Sequence, residues 1–125
     1  MNGLLIDSDI LIEVLRARDS RLLEEWNKVA CGDATPMCSP VSIAEVWCGA
    51  RPREKETVER LFRQMVTLPA DADIGRLAGE FLGRYSKSHG LELGDALVGA
   101  TAAHHRLPFW TRNRKHYPMA ELRFH

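Results

Sequence analysis

The sequence predicts an α/β fold, with a mainly parallel central sheet and helices on both of its faces. Short apolar runs of strand length alternate along the chain with longer segments whose apolar residues recur at helical spacing. The clearest helical segment is 74–85, where apolar residues fit the full i, i+3, i+4, i+7, i+8, i+11 pattern. Strands that alternate with helices favour parallel pairing, because each helix carries the chain back across the sheet.

The first half of the chain begins with an apolar run, Gly3 to Ile6, which we interpret as a buried strand. The polar cluster 7–9 then favours the start of a helix, because such residues cap helix N-termini. Ser42 is predicted to begin a later helix that ends near Gly49. In chain order the predicted elements are strand 3–6, helix 10–15, helix 20–29, strand 37–39, helix 42–49 and helix 58–65.

The second half repeats the alternation of strands and helices. The helix at 74–85 is predicted to stop by His89 and Gly90, where glycine suits a left-handed cap. The small residues of the helix at 93–103 indicate that it is buried. The predicted elements are strand 66–68, helix 74–85, helix 93–103, strand 107–111 and edge strand 122–124.

Length and composition indicate one soluble globular domain over residues 1–125. The formal net charge is zero, which argues against a protein that coats nucleic acid by bulk charge. The three cysteines are an odd number without CxxC spacing, so we expect neither a full disulfide set nor a zinc site, and a cytoplasmic location. No signal peptide and no membrane-spanning stretch is predicted.

Three acidic residues fall where a parallel sheet would bring them to one edge. Asp7 ends the first strand, while Glu45 and Asp95 lie in the first turns of two predicted helices. Sites of α/β proteins gather outside the carboxyl ends of the strands. Unneutralised carboxylates repel each other, so such a cluster predicts a hard cation, Mg²⁺ or Mn²⁺, bound by oxygen ligands.

A cation on these carboxylates indicates phosphodiester hydrolysis. It can offset the charge of a phosphodiester oxygen and activate a water, and a remaining carboxylate can orient or deprotonate that water. Cleavage would leave a 5′ phosphate and a 3′ hydroxyl without using the ribose 2′-hydroxyl.

Each acid also has a purely structural interpretation as a helix-capping residue. Asp7 can cap a helix, Ser42 and Glu45 have the spacing of a capping box, and Asp95 follows Gly94 as a helix-start acid. Both roles can hold together, because a helix start is a good place to fix a metal ligand. The coincidence of all three acids at one edge favours the catalytic interpretation.

Four segments in chain order resemble the motifs of PIN-domain ribonucleases of the VapC-toxin kind. The segments are 5–12 around Asp7, 39–49 around Glu45, 93–102 around Asp95, and 110–117 around Thr111 and Asn113. Each motif alone is weak, but four in order at the family spacing are strong, and together they span roughly 3 to 118.

The resemblance implies a three-layer α/β/α fold and the toxin of a type II toxin–antitoxin pair, an endoribonuclease. It implies that Asp7 and Asp95 hold Mg²⁺ or Mn²⁺, and that Glu45 completes the acidic site. Ser8 and Thr111 would support the site by hydrogen bonding. The implied partners are RNA, a second copy of the chain, and a cognate antitoxin that covers the active site.

One position departs from the family pattern. Many relatives carry a fourth acid where this chain has Asn113, which can position a water or a metal ligand but has no negative charge. We therefore expect one tightly held ion. We interpret Asp9 and Glu92, which could compensate, as peripheral.

The basic segment 106–116 is predicted to bind RNA phosphates, chiefly through Arg112, Arg114 and Lys115. A second basic group at 51–63 is diluted by acids and is equally consistent with a solvated face. Three aromatic residues could stack on bases, although a core position is favoured for the first of them. They are Trp47, Trp110 and Tyr117.

Two alternatives to a metal-dependent ribonuclease remain. A phospho-acceptor receiver domain has a similar length and acids after its first strand, but it needs a mid-chain acceptor Asp, whereas Val66–Leu68 is followed by Pro69. A catalytically weak or silent RNA- or antitoxin-binding module on a PIN scaffold is the stronger alternative, because Asn113 replaces an acid.

Overall fold

The computed structural model of the protein describes residues 2–125 and contains five strands over that range. The strands are β1 (Gly3–Ile6), β2 (Thr35–Cys38), β3 (Val66–Thr67), β4 (Pro108–Trp110) and β5 (Arg123–Phe124). They form one sheet in the order β3-β2-β1-β4-β5, and every neighbouring pair is parallel.

Helices provide the connections between the strands. They are α1 (Ser8–Arg16), α2 (Ser20–Cys31), α3 (Pro40–Gly49), α4 (Lys55–Arg63), α5 (Ala72–His89) and α6 (Leu93–His104). Two short 3₁₀ turns, Pro52–Glu54 and Arg114–His116, complete the described elements. Across residues 2–125, none of these helices combines the length and apolar content needed to cross a membrane.

The side chains of the sheet divide between two hydrophobic cores. Leu5 of β1 packs in one core with α5 and α6, whereas Leu4 and Ile6 pack in the other with α1, α2, α3 and α4. Phe109 and Trp110 of β4 divide in the same way. Because successive side chains of a strand point to opposite faces, the helices form layers above and below the sheet. The predicted three-layer α/β/α fold is confirmed.

Helix ends agree with the sequence at one position and differ at another. Gly90 follows α5 with φ of 63°, so the predicted left-handed cap is confirmed. The prediction that Ser42 begins α3 is wrong, because the helix begins at Pro40 and the Ser39 hydroxyl accepts from the Val41 N–H at 3.1 Å. Proline suits the first turn, since it has no N–H that needs a partner. The proposed capping box of Ser42 and Glu45 therefore does not form.

The central strands determine where the polar site lies. β1 and β4 are neighbours, with Ile6 opposite Trp110 in the register. The next residue after each strand, Asp7 and Thr111, therefore leaves the sheet at the same edge. The predicted strand 107–111 is longer than the observed β4, and Thr111 lies just beyond it.

Candidate active site

Asp7 and Thr111 meet at the carboxyl ends of β1 and β4. The Asp7 N–H donates to the Trp110 carbonyl at 2.9 Å, which extends the pairing of the two strands by one residue. The Thr111 hydroxyl donates to Asp7 Oδ2 at 2.9 Å. Both residues are buried, at 6% and 7% exposure.

Asp7 also begins α1, so the capping and site interpretations hold together. Its Oδ1 accepts from the Ser8 N–H at 2.9 Å, in the position of a helix N-cap. The Ser8 hydroxyl turns the other way and donates to Glu45 Oε1 at 3.0 Å. Glu45 is exposed on α3, and Ser8 thus ties it to the residue next to Asp7.

Asp95 reaches Asp7 through the phenol of Tyr117. The Tyr117 hydroxyl lies 3.0 Å from Asp7 Oδ2 and 3.3 Å from Asp95 Oδ1, so its single proton is shared between two carboxylates. Asp95 lies in the first turn of α6, as predicted, and is half-buried. The structure thus brings together two acids that are far apart in the chain.

Asp9 belongs to the same group of contacts, although the sequence interpretation placed it at the periphery. Its Oδ2 accepts from the Arg112 N–H at 3.0 Å and the Asn113 amide at 3.1 Å, and it lies 3.3 Å from the Thr111 hydroxyl, whose single proton it shares with Asp7. Asn113 therefore contacts Asp9 through its side chain. Carboxylates and hydroxyls alternate in what we call the carboxylate–hydroxyl chain: Asp9, Thr111, Asp7, Tyr117 and Asp95.

Burial dominates the electrostatics of this chain. Burial and, to a smaller extent, the negative charge of Asp9 raise the pKa of Asp7 to about 6, against hydrogen bonds from Thr111, Tyr117 and Ser8, which lower it. Burial also raises the pKa of Asp9. The pKa of Tyr117 is raised by burial and then by the charges of Asp7 and Asp95, so the phenol stays neutral and remains a donor.

The donor set fits a hard cation held by few protein ligands. Within residues 2–125, no three His, Cys, Asp or Glu side chains are grouped closely enough to bind a metal by themselves. Mg²⁺ does not require such a group, because it commonly binds one or two carboxylates together with waters and substrate phosphates. Asp7 and Asp95, joined by the Tyr117 hydroxyl, provide two such carboxylates.

The three predicted RNA-binding residues differ in the contacts that their side chains already make within the protein. The guanidinium of Arg112 lies 3.5 Å from Glu13 Oε1 and 4.0 Å from Asp19 Oδ2. Arg114 donates to the His125 carbonyl at 2.8 Å, and its guanidinium lies over the Phe124 ring. Lys115 is exposed, and it forms no salt bridge to any residue in the range 2–125.

Two of the three aromatic residues are not available to stack on bases. Trp110 and Tyr117 are only 5% and 3% exposed, so their predicted stacking role is wrong. Trp47 is half-buried against the second core, as the favoured core interpretation expected. The role of the Tyr117 hydroxyl was missed, because a tyrosine at the end of the 110–117 motif does not reveal its hydrogen-bond partners.

Comparisons with known families and relatives match nearly the whole length of the chain. The family model described as PIN domain matches residues 4–122. Ribonuclease VapC10 of Mycobacterium tuberculosis is 40% identical over 123 residues, which cover 94% of this chain and 88% of that protein. Ribonuclease VapC19 of the same organism is 29% identical over 116 residues, 92% of each chain.

Solved structures with low sequence identity share the fold. A chain of the DNA-bound VapBC of Salmonella typhimurium has a TM-score of 0.81 at 18% identity and covers 100% of this chain and 98% of its own. A chain of VapBC2 from Rickettsia felis, bound to a DNA fragment of its promoter, also has a TM-score of 0.81, at 14% identity, with 98% and 97% covered.

Proposed function

Because the chain belongs to the PIN-domain family, we propose that it is a Mg²⁺- or Mn²⁺-dependent endoribonuclease and the toxin of a toxin–antitoxin pair. The relative with 40% identity is named a ribonuclease over almost the same length. The observation that carries the proposal for this chain is the meeting of Asp7 and Asp95 on one buried hydroxyl. Mg²⁺ commonly binds one or two carboxylates together with waters and substrate phosphates.

In the proposed mechanism each side chain of the site has a distinct task. Asp7 and Asp95 would hold the cation, which when bound would supply positive charge beside the phosphodiester and the attacking water. Glu45, which is exposed and held by Ser8, accepts a proton from that water. The water oxygen bonds to phosphorus and the bond between phosphorus and the 3′ oxygen breaks. A solvent water protonates the leaving 3′ oxygen, so the products carry a 5′ phosphate and a 3′ hydroxyl.

Thr111 and Ser8 support the site, and Asn113 acts at its edge. Thr111 and Ser8 each give a hydrogen bond to an acid of the site, which is the contact that their supporting role requires. Asn113 holds Asp9, and its amide is exposed to a substrate. We place Arg112, Arg114 and Lys115 on the path of the RNA backbone, with Lys115 the least committed to contacts inside the protein.

The proposed protein partners are a cognate antitoxin and a second copy of this chain, in the cytoplasm. An open cleft of about 500 Å³ beside the site is lined by Asp9, Ile12, Glu13, Arg112 and Asn113. Its acids suit the insertion of a basic side chain from an antitoxin. Three free thiols, at Cys31, Cys38 and Cys48, suit a reducing compartment.

The deciding experiment is RNA cleavage by purified, antitoxin-free protein. We expect cutting with Mg²⁺ or Mn²⁺, none in EDTA, and none by Asp7→Asn or Asp95→Asn. Asp33→Asn is the matched control, because Asp33 is an exposed acid just before β2 and thus at the opposite edge of the sheet. Unchanged cutting in EDTA, or by either site variant, would refute the proposal.

A catalytically silent binding module is the competing function, favoured by the uncharged Asn113. The two functions separate in one assay. A silent module binds RNA or an antitoxin, but the RNA remains intact with either cation, whereas a nuclease produces new 5′ phosphate ends.

A further inference from the structure

The ring of Tyr117 is fixed by packing that does not depend on its hydroxyl. It is 3% exposed and lies edge-on to Phe109, with ring centroids 4.8 Å apart. The ring also lies over Gly99 of α6, where an added Cβ would stand 3.5 Å from it, at ordinary packing distance. A phenylalanine at this position would therefore keep the same apolar contacts.

The hydroxyl, in contrast, makes its hydrogen bonds to acids. Its partners among residues 2–125 are Asp7 Oδ2 and Asp95 Oδ1. Two carboxylates cannot hydrogen-bond to each other when both are ionised, and they repel at short range. One neutral donor between them offsets part of that repulsion and fixes how far apart they stand.

The hydrogen bonds also leave a defined part of Asp7 free for a ligand. Each carboxylate oxygen offers two lone pairs. Asp7 Oδ2 faces the hydroxyls of both Thr111 and Tyr117, whereas among residues 2–125 Oδ1 accepts only from the Ser8 N–H. The arrangement therefore directs both hydroxyls to Oδ2 and keeps a lone pair of Oδ1 available.

We propose that Tyr117 is a positioning residue, whose hydroxyl holds Asp7 and Asp95 at the spacing and orientation that bind the divalent cation. This inference rests on the proposed function. Tyr117 does not itself touch the substrate or the cation. It acts through the two acids, as the groups that hydrogen-bond to metal ligands commonly do.

The test is Mn²⁺ binding, measured by calorimetry on wild type, Tyr117→Phe and Tyr85→Phe. Loss of a group that supports metal ligands typically weakens binding about 10- to 100-fold, and we expect a loss in that range for Tyr117→Phe. Tyr85 is the other tyrosine of the chain and lies on α5 with its ring against His89, so its variant should bind as wild type does. Affinity of Tyr117→Phe within twofold of wild type, or tighter, would overturn the inference.

A second readout separates positioning from damage to the fold. If Tyr117→Phe unfolds at the wild-type temperature and higher Mn²⁺ concentrations restore its RNA cleavage, the defect lies in cation binding. A cleavage defect that no Mn²⁺ concentration restores, in a variant with unchanged Mn²⁺ affinity, would overturn the inference.

A third measurement needs no substitution at the site. Wild-type protein labelled with 3-fluorotyrosine gives two signals in ¹⁹F NMR, one for each tyrosine. Tyr85→Phe removes one of them and thereby identifies the signal of Tyr117. We expect Mg²⁺ to shift the Tyr117 signal with the midpoint of cation binding, and an unmoved signal would overturn the inference.

Asp7→Asn distinguishes failure of this inference from failure of the proposed function. If wild type binds Mn²⁺ no better than Asp7→Asn, the metal site itself is wrong and both proposals fall. If wild type binds Mn²⁺ and cuts RNA, and Tyr117→Phe equals it in both, only the positioning role falls.

Discussion

Asp7 carries its charge in an environment that opposes ionisation. At 6% exposure, its pKa is raised by burial to about 6, well above the value of an unfolded aspartate. The fold therefore favours the protonated form. The resulting stabilisation is fully present below about pH 4 and is lost as pH rises through about 6.

Replacing Asp7 by asparagine should stabilise the metal-free protein at neutral pH. We expect Asp7→Asn to raise the free energy of unfolding by about 1–3 kcal/mol at pH 7.5 and by much less at pH 4. The amide oxygen can still accept from Thr111 and Tyr117. Denaturant unfolding in EDTA measures this, with Asp33→Asn as the control, and equal effects at the two pH values would contradict it.

At the residue scale, the sequence predicted the acids of the site but not the hydroxyl groups that link them. Asp7 follows a buried apolar run and Asp95 begins a helix of small residues, so local pattern was enough to place both. The links of the carboxylate–hydroxyl chain depend on which distant side chains pack together. A hydroxyl partner such as Tyr117 has no local signature, because its sequence surroundings are ordinary.

At the scale of elements, α6 is built to lie close to the segment that follows β4. Gly99 lies on its buried face, where an added Cβ would stand 2.6 Å from Met119 Cε, so the Met119 methyl group would have to move. On the solvent-exposed side of α5, in contrast, Gly79 has open space around it, so an added side-chain atom would meet no neighbour.

A pair of glycine substitutions tests this difference. Gly79→Ala should stabilise the protein by about 0.5–1 kcal/mol, since alanine is the better helix former and meets no neighbour. Gly99→Ala should be less stable than Gly79→Ala by about 1–3 kcal/mol, because the buried Met119 methyl group must move to admit the new Cβ. Chemical denaturation measures both, and equal effects would show that α6 admits the methyl group without cost.

The position of a helix could be predicted where apolar residues at helical spacing dominated the segment, as in α5. The start of α3 was not, because Ser39 and Ser42 are both good capping residues three positions apart. Pro40 decides between them, since it fits the first turn after Ser39. The existence of the strands could be predicted more easily than their ends, because in a strand as short as β4, with three residues, the apolar pattern does not define the limits.

At the scale of the whole molecule, the two cores lie on opposite sides of one sheet. The tryptophans Trp26, Trp47 and Trp110 all belong to or pack against one core, whereas Tyr85 and Tyr117 belong to or pack against the other. The chain therefore carries a separate spectroscopic probe for each face.

We expect both faces to unfold together, as a single domain requires. Tryptophan fluorescence and the near-ultraviolet signal of tyrosine should give the same denaturation midpoint, because every sheet strand contributes to a shared scaffold. Two separated midpoints would contradict the single domain over 1–125.

A net charge of zero means that RNA affinity must come from a local surface. We expect Lys115→Ala to lower the salt slope of RNA binding by about 1, as the loss of one phosphate contact does. Arg112→Ala should lower it less, since Glu13 and Asp19 already neutralise that guanidinium. Lys28→Ala, which changes an exposed lysine of α2, is the control. An unaltered salt slope for Lys115→Ala would show that Lys115 does not contact the RNA.

The long-range contacts of Asp7 have a consequence for how the protein is made. Its hydroxyl partners, Thr111 and Tyr117, lie 104 and 110 residues later in the chain. A nascent polypeptide that has reached only residue 100 holds all three family acids but neither of these donors. On the proposed function and the positioning role of Tyr117, a nascent chain that ends before residue 117 does not hold Asp7 and Asp95 in the cation-binding arrangement, so we expect it not to cut RNA.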